Sequence, residues 1–167
     1  FSFVSTAIRN HFIAKFNGDG DILWIKQIKD SIANGGIMSV YIGKKYIYSG
    51  IIIGNNFASD CDSGGTTNGG LLLLKYDIGG TCIWHKLIPG AGISELLEES
   101  SGNIVLVAGA LTGTDFGGCV GNGGLLVVLI DSNGACLNIA STGPAFCWSV
   151  GIDNSKNIYL AGLVIAP

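Results

Sequence analysis

The chain has 167 residues, of which 13% are charged and 27 are glycine, with a formal net charge of −3. Charge at about half the ordinary share and glycine well above the usual ~7% predict a tightly turned, well-buried β protein. The nine Lys and Arg are scattered, leaving no basic patch for duplex nucleic acid, and no apolar run nears the ~18 residues of a membrane helix.

The opening "FSFV" reads as the interior of a strand, with no Met, no basic n-region and no cleavage signature. The close, "NIYLAGLVIAP", also stops inside strand-like material. Both ends predict a segment of a longer chain.

Next comes "KFNGDGDILW" at 15–24, two apolar runs around a Gly-rich turn. The pattern returns as "KYDIGGTCIW" at 75–84 and "LIDSNGACLN" at 129–138, so Phe16 to Tyr76 is 60 residues and Tyr76 to Ile130 is 54. A second phrase keeps the same beat. "YIYSG" ends at Gly50, "NIVLVAG" at Gly109 and "NIYLAG" at Gly162, at spacings of 59 and 53. Self-similarity near 50 residues marks a stacked or radial array in which each repeat is one supersecondary unit.

Each unit holds four short strands bounded by Gly, Asn, Asp or Ser. They are expected at 37–42, 46–51, 71–76 and 81–87 in one unit, and at 94–99, 103–110, 125–130 and 135–140 in the next. The turns "SSGN" (100–103) and "DSNG" (131–134) supply the positive-φ positions of tight hairpins, so consecutive strands should be antiparallel neighbours. "ISELLEES" comes nearest to a helical period, but it stands where other units have β-rich "IMSVYIG" and "CWSVGID". The fold class is therefore all-β.

"GNIVLVAGALTGTDFGG" (102–118), followed by "NGGLLVVLIDSNG" (122–134), resembles the SBBP-type β-propeller repeat, as do "NIYLAG" and the two Lys-to-Trp hairpins. Asn138 replaces the hairpin Trp in the last unit, and the loop after Gly50 is longer and lacks Asp-Phe-Gly. The resemblance implies a β-propeller of four-stranded antiparallel blades, incomplete in this chain: a partial blade (1–28), whole blades (37–87 and 93–140) and a partial blade (146–167). Closed propellers have roughly four to eight blades, so the rest is expected from further chain, with a second copy as the alternative. It also implies a large exported or cell-surface bacterial protein.

Candidate chemistry is sparse. Asn17, Asp19 and Asp21 alternate like the start of a Ca²⁺ loop, but Ile22 and Ile28 stand where that loop needs Gly and Glu, so the segment reads as a hairpin turn and no cofactor is expected. Asp60, Asp62 and Asp115 lie in loops between second and third strands, where they could hold Ca²⁺ or a sugar hydroxyl, or cap the local backbone. With Phe116 they mark the loops 52–69 and 111–123 as the surface for a protein or cell-surface partner, since loops carry recognition.

His11 and His85 occupy unrelated repeat positions, and no Gly-x-Ser-x-Gly elbow is present. Trp24 and Trp84 stand at equivalent positions and should be largely buried against a neighbouring unit. Cys82 and Cys136 are equivalents whose α carbons should lie beyond the roughly 7 Å disulfide limit. A Cys119–Cys147 bridge is one reading, and a small buried hydrophobe at Cys147 the other.

The reading is a non-catalytic structural and interaction module. The alternative is a propeller-fold enzyme or carbohydrate-binding accessory domain with an axial site; an enzyme would converge ionisable groups there, whereas the inner strands offer mainly Ser39, Glu95, Glu98, Ser149 and Asp153.

Overall fold

The structure is a computed structural model that describes residues 9–30, 38–54, 56–66 and 69–164, without the side chains of 9, 10, 38 and 62–66. The described residues form fourteen strands and no helix. The first sheet begins with the hairpin β1 (Arg9–Phe16) and β2 (Ile22–Asp30). Next are β3 (Met38–Ile42) and β4 (Tyr46–Ile53), an inserted hairpin β5 (Asn56–Ser59) and β6 (Asp62–Thr66), then β7 (Gly70–Asp77) and β8 (Cys82–Pro89). The chain continues through β9 (Ala91–Glu98), β10 (Ile104–Asp115), β11 (Val120–Ile130) and β12 (Cys136–Gly143). The last pair is β13 (Ala145–Ile152) and β14 (Ile158–Val164).

Two sheets are up-and-down meanders, β3-β4-β7-β8 and β9-β10-β11-β12, and β13-β14 is a two-stranded sheet. All pairings are antiparallel, as the turn chemistry predicts. The departure from expectation is the insertion. β5 leaves its own meander and pairs with β2, giving the order β1-β2-β5-β6, with Lys29 opposite Ala58 and Asp30 opposite Phe57.

The repeated hairpins agree in register. Lys15 faces Trp24, Lys75 faces Trp84 and Leu129 faces Asn138. Each ladder then shifts by a bulge, between Lys15/Phe16, Lys75/Tyr76 and Leu129/Ile130. The intervening turns share one construction. Asn17, Asp77 and Asp131 each turn a side-chain oxygen onto the backbone N–H four residues on, at 2.8, 2.8 and 2.9 Å. The turn closes through Gly20, Gly80 and Gly134 at φ of 89°, 89° and 88°, where a side chain would be strained.

Central strands are buried on both faces because the sheets stack, which is why they read as unbroken apolar runs. Along β7 the leucines divide by parity. Leu71 and Leu73 join a core with Ile93, Leu96, Ile104 and Leu106. Leu72, Leu74 and Tyr76 join another with Ile13, Ile28, Ile47 and Ile51. One run of sequence thus fills two interfaces, each fully buried leucine contributing about 1.5–3 kcal/mol.

The joints between sheets repeat too. Lys15 donates to the Ile78 carbonyl at 2.9 Å, and Lys75 to the Ser132 carbonyl at 2.7 Å. Each lysine therefore reaches the hairpin turn of the following unit. Trp84 Nε1 donates to that same Ser132 carbonyl at 3.0 Å. A Cβ on Gly80 would lie 3.0 Å from the Trp24 ring, and one on Gly134 3.7 Å from Trp84. Both tryptophans lie against the next unit's turn as expected, though half-buried rather than largely buried. The first strands also meet, β9 lying against β3 and β13 against β9.

Candidate functional site

The loops singled out by sequence are both hairpins, and both fold back onto the sheets. β5–β6 carries Asp60 at its tip, where the carboxylate pairs with Lys26 Nζ of β2 at 2.8 Å and accepts the Tyr76 hydroxyl of β7 at 2.8 Å. Burial, then the Asp60 bond, pushes the Tyr76 phenol well above its ordinary range. Phe57 enters the core beside Ile28. Asp62 lies in β6, but its side chain is outside the described ones.

The second hairpin reaches a similar place by another path. Asp115 Oδ1 accepts the N–H groups of Gly117 and Gly118 at 2.8 and 3.2 Å, and these bonds hold its carboxyl below the usual range. Phe116 is fully buried among Leu106, Leu126, Val128 and Ile130. Phe116 therefore faces the core and is not exposed at the surface of its loop. The Cys136 N–H bonds the Gly117 carbonyl at 3.0 Å, bringing the tip to the β11–β12 turn. Lys86 of β8 donates to the Gly134 carbonyl of that turn. Its exposed residues include the apolar Leu111 at 70% and Val120 at 60%, beside the polar Thr112, Asp115 and Asn122.

Both hairpins are latched by disulfides that the cysteine spacing did not reveal. Cys61 bonds Cys82 and Cys119 bonds Cys136, with Cα separations of 5.4 and 5.7 Å. The Cys119–Cys147 reading is corrected. Cys147 is a buried free thiol packed beside Val107 and Leu125. Flat extended hairpins would have kept each loop cysteine far from the start of the outer strand; folding the hairpin back removes that distance. Cys82 and Cys136 are repeat equivalents, and each binds the loop of its own unit. The pairing is an internal symmetry that a list of five cysteines does not display.

The Asn17, Asp19 and Asp21 group is a turn. Asn17 Oδ1 accepts the backbone N–H groups of Asp19 and Asp21 at 3.0 and 2.8 Å, and Asn17 Nδ2 donates to Asp21 Oδ2 at 3.0 Å. Among the described residues no three His, Cys, Asp or Glu side chains converge as a metal set.

Of the first-strand polar groups, the structure brings two together. The Ser39 hydroxyl donates to Glu95 Oε2 at 3.1 Å across β3 and β9. Asp153 instead caps its own turn, accepting from the Asn157 side chain and from the backbone of Ser155 and Asn157. Glu98 borders an open groove of about 670 Å³ with Tyr41, Lys44, Lys45, Tyr46 and Ser101. Behind it the Lys75 ammonium is buried 4.0 Å from the Tyr46 ring centre and 5.5 Å from that of Tyr48. Burial lowers the Lys75 pKa, against the opposing pull of Glu98 and Asp131. Burial first, and then Glu98, pushes the Tyr48 phenol up to about 12.

His11 meets an acid that sequence spacing did not suggest. Its Nε2 lies 3.7 Å from Asp30 Oδ2, diagonally across the β1–β2 pair. That carboxylate already accepts the Gly54 N–H with both oxygens, at 3.2 and 3.0 Å, so it ties β2 to the start of the inserted hairpin.

No protein-family model matches the chain, and no curated protein matches it. Among the described residues no helix is long and apolar enough to cross a membrane, which leaves strand-built membrane proteins unaddressed.

Proposed function

We propose that the chain is a non-catalytic structural and interaction module of the β-propeller kind, within an exported or cell-surface bacterial protein. The observation that carries the reading is the joint between units. A lysine and a tryptophan of one unit meet the Gly turn of the next, first as Lys15 and Trp24 and then as Lys75 and Trp84. A repeated interface of this kind builds an array whose rigid sheets present loops. Contact between successive first strands supports the radial form of that array. Two disulfides fit an oxidising setting such as the cell exterior.

The partner-facing part is the back of the 111–123 hairpin, where Leu111 and Val120 are exposed, while Asp60 and Asp115 hold the hairpins in shape. The test uses two variant sets, Leu111→Asp with Val120→Asp, and Asp60, Asp62 and Asp115 to Ala. Thermal stability and association with isolated bacterial envelopes are measured for each. The first set should lose association at unchanged stability, and the second should lose stability. Association unaffected by the first set refutes the contact surface, and a catalytic turnover abolished by either set refutes the non-catalytic reading.

The second reading is carbohydrate binding, favoured by the groove that sets Tyr41 and Tyr46 beside Glu98 and Ser101. Aromatic faces with a carboxylate and a hydroxyl suit stacking on a sugar and bonding its hydroxyls. Glycan-array binding lost on Tyr46→Ala would establish it.

A further inference from the structure

We propose that the groove between the β3–β4 and β9–β10 turns binds an acidic saccharide, a sugar chain bearing carboxylates of the uronate kind. The proposal rests on the carbohydrate reading above and adds to it the charge of the ligand.

The two walls come from the two meanders, so the groove belongs to the joint between them. One wall is the β3–β4 turn with Tyr41, Lys44, Lys45 and Tyr46, and the other is the β9–β10 turn with Glu98 and Ser101. The volume of about 670 Å³ falls within the roughly 300–1,000 Å³ of small-molecule sites. Each turn is closed by its own backbone. The Gly43 N–H bonds the Tyr46 carbonyl and the Gly102 N–H bonds the Glu99 carbonyl, both at 2.9 Å. Glu98 reaches from its own wall to the other, because Gly43 leaves the space: a Cβ there would collide with the carboxylate.

The charges select an anion. Lys44 and Lys45 are the only adjacent basic residues in a chain whose net charge is −3. Both are exposed, and among the described residues neither pairs with a carboxylate. Behind them the Lys75 ammonium lies 4.0 Å from the Tyr46 ring centre and donates to the carbonyl of Ser132, another residue of the groove. That buried cation already takes the attraction that the Tyr46 ring offers a positive charge. A cationic ligand would meet three ammoniums. Of the nearby acids, Glu99 is answered by Ser101, Asn103 and Lys156, and Asp131 by the N–H groups of its own turn. Glu98 is left facing Lys44, Lys45 and Lys75, and the balance is positive.

The remaining groups select a sugar over a simple anion. Tyr41 and Tyr46 are half-buried and give the groove aromatic surface for the apolar face of a sugar ring. Glu98 is placed to accept sugar hydroxyls. The Tyr48 hydroxyl supplies an independent sign of a ligand. Tyr48 lines the groove, and its hydroxyl is buried without a full hydrogen bond, although Glu98 acts on it. A buried donor left unpaired is costly, and a sugar hydroxyl, directly or through a bridging water, would satisfy it. A simple anion answers the lysines and leaves the rings and this hydroxyl unused.

The 167-residue chain is titrated calorimetrically with trigalacturonate, with its neutral counterpart galactotriose and with triglutamate, and circular dichroism confirms the fold of each variant. Trigalacturonate should bind at least tenfold more tightly than either of the others. Lys44→Ala with Lys45→Ala, at exposed positions, should abolish that preference while leaving galactotriose binding unchanged. So should ~1 M salt, where the Debye length is about 3 Å. Equal binding of the two trisaccharides by the wild-type chain overturns the acidic preference and leaves the carbohydrate reading standing. Binding of neither overturns both. Triglutamate bound as tightly as trigalacturonate overturns the saccharide and leaves charge attraction alone, and a preference that survives the double alanine variant overturns this groove as its source.

Discussion

Lys75 and Ser132, 57 residues apart in the chain, meet through a 2.7 Å hydrogen bond from the lysine Nζ to the serine carbonyl. The ammonium is nearly water-free, with 3% of Lys75 exposed, and its charge is met by the Tyr46 ring face. Lys15 makes the same bond to Ile78 at a more open position.

Lys75→Ala should therefore cost about 2–4 kcal/mol, combining a charge-assisted hydrogen bond with a desolvated cation–π contact. Lys15→Ala should cost about 1 kcal/mol, because water replaces an exposed bond readily. Urea unfolding of the two variants checks this. Equal losses would mean that the buried joint has no special weight.

Phe116→Ala should cost about 3–5 kcal/mol, the usual result of emptying a fully buried aromatic site. A loss below about 1 kcal/mol would show the hairpin tip to be free of the core, and with it a loop available for binding.

Thiol titration of the unfolded, unreduced protein should find one free thiol, that of Cys147. Replacing both Cys61 and Cys82 by Ala should cost about 2–4 kcal/mol, because the bridge spans 21 residues and a loop of ~15 is worth about 3. The β5–β6 hairpin keeps only two residue pairs with β2, so limited proteolysis of this variant should cut there first.

Stability should fall in acid. Asp77, Asp115 and Asp131 are held below their ordinary range chiefly by backbone N–H donors, Asp153 chiefly by the Asn157 side chain, and Glu99 chiefly by Ser101. The unfolded chain takes up protons near 3.8 at Asp and 4.5 at Glu, before the folded one does. Their contribution is full above those values and is lost as pH falls through the depressed ones. In alkali the sign reverses for Tyr48. The unfolded phenol ionises near 10.0 and the folded one near 12, so its share of stability declines as pH rises between them. Denaturant midpoints against pH should show the acid loss, and Tyr48→Phe should flatten the alkaline slope. An unchanged slope would remove Tyr48 from the account.

Much of the fold is local and could be read from the letters. The run Leu71 to Leu74 announces a strand buried on both faces, and the turns at Asn17, Asp77 and Asp131 announce hairpins, because each is decided by a few neighbouring residues. Even "ISELLEES" was resolved by its place in the repeat, and it is strand β9 apart from its last residues. The aromatic at Trp24 and Trp84 also announced a shared contact, though not that the other side would be a glycine turn.

The candidate site was less legible. Asp60, Asp115 and Phe116 stand out as unusual loop residues, and only the folded chain shows that they bond Lys26 and Tyr76, cap glycines and fill a core. The sequence determined strands, turns and repeat because backbone alternation and turn conformation are set within a few residues. Tertiary structure alone decided that β5 would leave its unit for β2, that Cys61 would meet Cys82 and that Phe116 would face inward. Those outcomes depend on which way two long hairpins bend, and that is settled by the apolar surface and buried partners they find between sheets.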